Sequence, residues 1–213
     1  MTIELWGAFL LVVLVLNITP GPDMAYILGR AMGQGVPAGI VSAAGVSIGA
    51  LLHVIYATVI FALAATMSDM AFALLLLAGA CYLIWLGVSS LRTASNTVDL
   101  LPFSDRKAMT RIFLDGVVVD VLNPKVALFF LALLPGFMPE NNTGSAPWFL
   151  ALGVLVVALS FLIEIVLVLA SQKVKTMVSG GKRGQALLHR SMGIIFVLLG
   201  LLGLASVDYG SVL

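Results

Sequence analysis

The chain has 213 residues, of which 61% are hydrophobic and 10% are charged, whereas ordinary soluble domains carry about 25% charged residues. So few polar groups cannot cover a water-facing surface, but a lipid bilayer makes an apolar exterior favourable. The formal net charge of +1 argues against a nucleic-acid partner, because phosphate binding needs a clustered excess of Lys and Arg on one face. The single cysteine, Cys81, excludes an internal disulfide, a Cys-x-x-Cys redox pair and a multi-cysteine metal site. We therefore expect an integral membrane protein.

Six apolar stretches are long enough to cross roughly 30 Å of hydrocarbon as helices. They run from Leu5 to Leu28, Ala38 to Thr66, Met70 to Leu91, Ile112 to Pro135, Pro147 to Ser171 and Ala186 to Ala205. The polar stretches between them, such as Gly29 to Pro37, are predicted to be loops. No Lys or Arg precedes Arg30, so the first stretch lacks the basic start of a signal peptide and is expected to remain in the mature protein.

The basic residues predict the orientation, because short loops that carry Lys and Arg stay in the cytoplasm. Ten of the eleven follow the first, third or fifth predicted span, with Arg190 in the first residues of the sixth, and Lys125 alone lies deep within a span. The ten are Arg30, Arg92, Arg106, Lys107, Arg111, Lys173, Lys175, Lys182, Arg183 and Arg190. We expect a multi-pass protein of the cytoplasmic (inner) membrane with both termini extracytoplasmic.

The two halves of the chain begin alike. Val15-Leu16-Asn17 opens a proline-containing motif in the first span, and Val121-Leu122-Asn123 opens another in the fourth span, 106 positions later. Three spans per half would place the second half upside down relative to the first, as in many secondary transporters. The prediction is one all-α transmembrane domain of two inverted three-helix repeats with broken first and fourth helices. The repeats cover about residues 1–92 and 112–207, and a cytoplasmic linker covers about 93–111.

The first span contains Asn17-Ile18-Thr19-Pro20-Gly21-Pro22-Asp23. Each interior proline costs a helix about 3 kcal/mol or more, and the freed backbone groups cannot face lipid. One reading is a simple kink capped by Thr19 and Asp23. The other is a discontinuous helix that lines a substrate site. The second reading makes six residues of this stretch candidates for substrate binding: Asn17, Thr19, Pro20, Gly21, Pro22 and Asp23, with Asp23 the charged member.

The fourth span also contains a proline that would interrupt a helix, in Asn123-Pro124-Lys125. Asn123 is a good helix cap, and Pro124 suits the first position of a new half-helix. Lys125 is unfavourable there, since a cation opposes the helix dipole and a charge at mid-membrane costs roughly 2.5 to 3.5 kcal/mol. An anion should compensate it. Either Asp120 or Asp23 forms a structural ion pair with it, or a substrate carboxylate binds there, and the two are compatible if the partner exchanges during transport.

Ionisable residues inside the predicted spans are candidates for proton coupling: Asp23, Asp120, Glu164 and His53. Buried carboxylates can exchange protons near neutrality, although they can equally be paired and inert. A lone intramembrane histidine such as His53 is more often a packing partner. Asp115 is expected at the membrane interface.

The stretch Gly45-Val46-Ser47-Ile48-Gly49 matches the Gly-x-Ser-x-Gly pattern of serine hydrolases. That motif requires a strand, a tight turn and a helix, whereas this copy lies within a predicted helical span. Ser47 and His53 are about 9 Å apart along a helix axis and on different faces, so they cannot form a dyad. We therefore expect no enzyme, and we interpret Gly45 and Gly49 as a helix-packing face.

These residues together resemble the LysE/RhtB family of amino-acid exporters, which includes lysine, homoserine, threonine and leucine efflux proteins. The resemblance covers nearly the whole chain. It is carried by Thr19-Pro20-Gly21-Pro22-Asp23 with the glycines that follow, by Gly79 to Gly87, by Phe113 and Gly116, and by Asn123-Pro124-Lys125 with Phe129-Phe130. Three places depart from the family pattern: Asp23 stands where many members have Asn, Asp120 where a neutral residue is usual, and Leu134-Pro135-Gly136-Phe137 lacks a Gln before the Phe.

The resemblance implies a secondary transporter that exports small amino acids or derivatives by proton antiport, with the two proline motifs framing the route. Asp23 and Asp120 would attract the substrate ammonium or carry a proton, and Lys125 with the half-helix amides would receive the carboxylate. The alternative is a metal or other ion exporter of the wider superfamily, although one cysteine and two distant histidines supply a soft-metal site poorly. No cofactor and no resident metal are expected. The expected partners are an amino-acid-like substrate, the proton and the lipid bilayer, and a homodimer is left open.

Overall fold

The computed structural model describes residues 3–18, 21–64, 69–93, 103, 105–138 and 145–171, with scattered positions between 190 and 204. This part of the chain is helical, as predicted. The helices are α1 (Ile3–Ile18), α2 (Pro22–Gln34), α3 (Val36–Ala64), α4 (Asp69–Thr93), α5 (Met109–Val121), α6 (Pro124–Leu128) and α7 (Ala146–Leu169). α6 continues into a π-helical turn, Phe129–Leu133, and a 3-10 turn, Leu134–Phe137.

Two described helices are each long and apolar enough to cross a membrane, over Val36–Leu63 in α3 and Ala146–Leu169 in α7. α1 and α2 make a third span if they are taken together as one helix bent by 58°. The outward faces of these helices carry large apolar side chains, for example Leu10, Leu52 and Leu162, as helices in lipid should. Six spans remain a prediction, and most of the predicted sixth span lies outside the described residues.

Both predicted helix breaks are present. α1 ends at Ile18 and α2 begins at Pro22, where the proline occupies the first turn and needs no hydrogen-bond acceptor. α5 ends at Val121, and α6 begins at Pro124. The physical reason is the one that the sequence suggested, since proline lacks the N–H that would continue the preceding helix.

The prediction of a loop from Gly29 to Pro37 is wrong. α2 continues to Gln34 and α3 begins at Val36, so Gly35 alone separates the two helices. Gly35 has φ of +96°, a conformation that side-chain-bearing residues rarely adopt, and its N–H bonds to the Ala31 carbonyl. The polar composition of this stretch had suggested a longer loop, but Gly35 alone forms the turn between α2 and α3.

Helices α3 and α5 pack closely through glycines. A Cβ at Gly45 would collide with the Phe113 carbonyl oxygen, and one at Gly49 would lie 2.7 Å from the Asp120 Cβ. From the other side, a Cβ at Gly116 would lie 2.8 Å from the Ser42 carbonyl oxygen. The interpretation of Gly45 and Gly49 as a packing face is confirmed, and the Gly-x-Ser-x-Gly pattern lies inside a regular helix.

The main apolar core lies where α1, α3, α7 and the segment after α6 meet. Its fully buried members include Phe9, Val54, Phe130, Leu134 and Phe149. This core surrounds one end of the cavity described below. The α6 segment is therefore held on several sides beyond the break.

The end of the predicted linker packs against α2. Phe103 donates its N–H to the Gly29 carbonyl at 3.2 Å, and Gln34 and Lys107 exchange two hydrogen bonds of 2.7 and 3.1 Å. A Cβ at Gly33 would collide with the Phe103 carbonyl, so the glycine permits this approach. α5 begins at Met109, earlier than the predicted end of the linker at about residue 111.

Arg30, predicted to lie in a cytoplasmic loop, is instead 1% exposed. Its Nη1 donates to the Asp105 carbonyl oxygen at 2.9 Å, and its guanidinium lies 4.4 Å from the centre of the Phe103 ring. A buried guanidinium is tolerated when it is hydrogen-bonded and stacked in this way. Through these contacts with Phe103 and Asp105, Arg30 holds the end of the linker against α2.

Asp115 pairs with two basic residues around it. Its carboxylate lies 2.8 Å from Lys107 Nζ and 2.9 Å from Arg111 Nε. It does not line the cavity described below.

Candidate functional site

The two helix breaks meet at a buried ion pair. Lys125 Nζ lies 3.1 Å from Oδ2 and 3.3 Å from Oδ1 of Asp23, and it donates to the Leu16 carbonyl oxygen at 3.2 Å. The Lys125 and Asp23 side chains are 7% and 12% exposed. The carbonyl belongs to the last turn of α1, where helical acceptors lose their partners. Lys125 thus joins both ends of the first break to the second, and Asp23 is the acid that compensates its charge.

Asn123 shapes the second break. Its side-chain oxygen accepts the Lys125 N–H at 3.1 Å, which makes it the N-cap of α6, and Pro124 takes the first helical position, as predicted. The Nδ2 atom of Asn123 is buried and has no hydrogen-bond partner among the described residues. The Lys125 amide is occupied by the Asn123 cap.

Gly21 leaves the space that the ion pair occupies. A Cβ there would lie 3.0 Å from Lys125 Nζ and 2.5 Å from Asp23 Oδ1. Pro22 begins α2, so the Asp23 carboxylate projects from its first turn. Thr19 and Pro20, which were also predicted to bind substrate, lie outside the described residues.

A cavity opens beside the ion pair, with about 370 Å³ of space that no protein atom occupies. Its polar lining comprises Asn17, Asp23, Ser47, Asp120, Ser160 and Glu164. The rest of its wall is apolar. A second cavity of about 240 Å³ shares three of these residues, Asn17, Asp23 and Glu164, and continues along α2 towards Leu28. The lining therefore draws on both breaks and on α3 and α7.

Asp120 and Glu164 bring two further carboxyl groups to this cavity. Asp120 is 1% exposed, and within the described part of the chain neither of its carboxyl oxygens has a hydrogen-bond partner. Glu164 is also buried, and its Oε2 is without a partner under the same restriction. Buried acids without partners are costly, and ionisable side chains inside membrane helices are candidates for a functional role.

Asn17 connects the end of α1 to α7. Its Nδ2 donates to the Val13 carbonyl and to the Ser160 hydroxyl, both at 2.8 Å. Sequence reasoning missed Ser160, because a single serine in an apolar helix carries no motif. A usable signal was present in its spacing: Ser160 and Glu164 are four residues apart and therefore lie on one helical face.

His53 occupies a different place. It is buried in α3, and its Nε2 lies 2.9 Å from the Asp120 carbonyl oxygen, which also accepts the Asn123 N–H at 2.8 Å. His53 does not line either cavity. Its contact supports the backbone at the second break, which agrees with the packing interpretation.

No group of three or more His, Cys, Asp and Glu side chains among the described residues is arranged to hold a metal ion. The metal-exporter alternative therefore gains no support from this part of the chain.

The comparisons with known proteins agree on one family. The model of the LysE type translocators matches residues 14–207. The homoserine/homoserine lactone efflux protein of Salmonella typhimurium is 30% identical over 202 residues, which cover 95% of this chain and 97% of that protein. The leucine efflux protein of Enterobacter sp. is 26% identical over 191 residues, covering 90% of this chain and 88% of that protein. No solved structure matches the chain. With its apolar helices, the chain is a multi-pass membrane protein, and it belongs to the family of LysE type translocators.

Proposed function

We propose that this protein is a secondary transporter that exports small amino acids or their derivatives across the cytoplasmic membrane in exchange for protons. The observation that carries the proposal is the buried Lys125–Asp23 pair at the meeting point of two broken helices, beside a cavity that holds two more buried acids. Efflux of homoserine and of leucine by relatives supports the substrate class.

The arrangement suits a zwitterion. A substrate carboxylate can replace Asp23 at Lys125 Nζ, since both are anions that make charge-assisted hydrogen bonds to an ammonium. The substrate ammonium would then lie among Asp23, Asp120 and Glu164. Asn17 and Asn123 add neutral hydrogen-bonding groups, and Asn123 Nδ2 has no partner in the described part of the chain.

Asp120 and Glu164 are the proposed proton carriers. A carboxyl group that releases its proton when the substrate ammonium arrives, and regains one when the ammonium leaves, exchanges the two cations through one site. Asp23 would contribute once the substrate carboxylate has displaced it. His53 is a weaker candidate, because it does not line the cavity.

The proposed architecture is six spans in two inverted repeats, about residues 1–92 and 112–207, that rock against each other. Both termini would lie outside the cytoplasm. The supports are the paired breaks and the distribution of basic residues.

The test is counterflow and pH-driven transport in proteoliposomes with the purified full chain. We expect wild-type protein to exchange labelled amino acids and to accumulate them against a gradient when a pH difference is imposed. Glu164→Gln and Asp120→Asn should keep counterflow and lose most of the response to the pH difference. Glu4→Gln, a matched change at an exposed position, should behave like wild type.

The outcomes separate the parts of the proposal. Absence of counterflow for every amino acid tested contradicts amino-acid transport. Counterflow with an unchanged pH response in Asp120→Asn removes Asp120 from coupling, and the same result in Glu164→Gln removes Glu164.

A further inference from the structure

The cavity beside the ion pair has two chemically different ends. Along α7 its lining passes from Val156 and Val157 through Ser160 to Glu164. These residues recur about once per helical turn, so one stripe of α7 changes from apolar to acidic over roughly 12 Å. An asymmetric lining of this kind orients an asymmetric ligand.

The helix that starts at the second break shows the same division. Lys125 binds Asp23 at the polar end, whereas Val126 and Phe130 continue the cavity wall away from the break. The apolar residues Val126, Phe130, Val156 and Val157 all belong to the main hydrophobic core. Glu164 follows Val156 and Val157 by about two helical turns of α7, so it lies at the other end of the wall.

We propose that the apolar end of the cavity, formed by Val126, Phe130, Val156 and Val157, is the side-chain subsite and selects aliphatic amino acids. This inference rests on the proposed function. An amino acid whose charged groups meet Lys125 and the acids has its side chain against the remaining wall. Burial of an aliphatic side chain there is favourable, whereas a polar side chain would lose its hydrogen bonds to water without replacement.

Two positions set the size of this subsite. Val157 lines it from α7, and Ala50 lines the same cavity from α3. Val157→Ala enlarges the space by two methyl groups, and Ala50→Val fills it by the same amount. The two changes should therefore move the size preference in opposite directions.

The experiment measures counterflow of alanine, leucine, phenylalanine and lysine in proteoliposomes, and the readout is the ratio of rates in one preparation. We expect wild-type protein to favour leucine over lysine. Ala50→Val should lower the leucine-to-alanine ratio by roughly ten-fold, and Val157→Ala should raise the phenylalanine-to-leucine ratio by a similar factor, as methylene-sized changes in an apolar pocket do.

Matched controls come from the lipid-facing side of α7, where Val154 and Ala158 are exposed. Val154→Ala and Ala158→Val make the same chemical changes away from the cavity and should leave both ratios unchanged. A ratio within one preparation does not depend on the amount of folded protein. Val157→Ala, which only removes atoms, carries the test if Ala50→Val fails to insert.

Three results would overturn the subsite. They are a preference for lysine over leucine, unchanged ratios in the Ala50 and Val157 variants, and equal shifts in the controls. If the wild-type protein transports none of these amino acids, the proposed function itself fails, and that result is distinct from transport without a size effect.

Discussion

Replacing Lys125 by alanine tests the ion pair at the centre of the molecule. The substitution leaves the Asp23 carboxylate buried without the ammonium that lies 3.1 Å from it, and it removes a hydrogen bond to the Leu16 carbonyl. Removing one partner of a buried pair costs about 3 to 5 kcal/mol, because the remaining charge keeps its desolvation penalty. We therefore expect Lys125→Ala to lower the free energy of unfolding by that amount and to abolish export.

The pair itself is isolated by a double-mutant cycle. Asp23→Leu alone should also destabilise the protein, since it removes the carboxylate that lies 3.1 Å from the buried ammonium. The cycle uses Lys125→Met, Asp23→Leu and the two changes combined. The combined variant should lose much less stability than the sum of these two single changes, because both buried charges are gone. The assay is denaturant or thermal unfolding of the purified proteins in one detergent.

The control is Arg111→Ala at the surface. The Arg111 side chain is 68% exposed although it pairs with Asp115 at 2.9 Å, so its loss should cost less than about 1 kcal/mol. If Lys125→Ala is no more destabilising than Arg111→Ala, the reasoning from burial is refuted. If it is stable and the amino acid still raises its melting temperature as in wild type, Lys125 does not bind the substrate carboxylate.

Further predictions concern topology, helix packing and the linker. Asn141 and Leu213 should lie outside the cytoplasm, so a reporter that is active only there should be active when fused at either position. Activity of a cytoplasmic reporter at both positions would reverse the assigned orientation. Gly45→Leu should separate α3 from α5 and lower stability by about 1 to 3 kcal/mol, whereas Gly7→Leu, which meets no atom within 4 Å, should not. Arg30→Ala should speed proteolysis of the linker in the folded protein, because the contacts that fasten the linker to α2 are lost; unchanged cleavage would contradict that role.

Much of the site was predictable because its causes are local. Pro22 and Pro124 interrupt hydrogen bonding within their own turns, and Asn123 caps the residue two positions ahead. Composition alone indicated an apolar exterior, and the length of the apolar stretches indicated helices. The spacing of Gly45 and Gly49 placed both on one helix face. None of these inferences needed knowledge of which helices are neighbours.

Only the tertiary structure decided which groups meet. Asp23, 102 positions from Lys125, is the partner of its ammonium, whereas Asp120, five positions away, was an equal candidate by sequence. Ser160 and the two-ended cavity depend on how α7 rotates against α1 and α6. By sequence Arg30 was predicted to be a cation in a cytoplasmic loop, whereas in the structure it is buried beneath the end of the linker. Such pairings are long-range because a buried charge takes the partner that helix packing brings within hydrogen-bond distance, and spacing along the chain does not specify that neighbour.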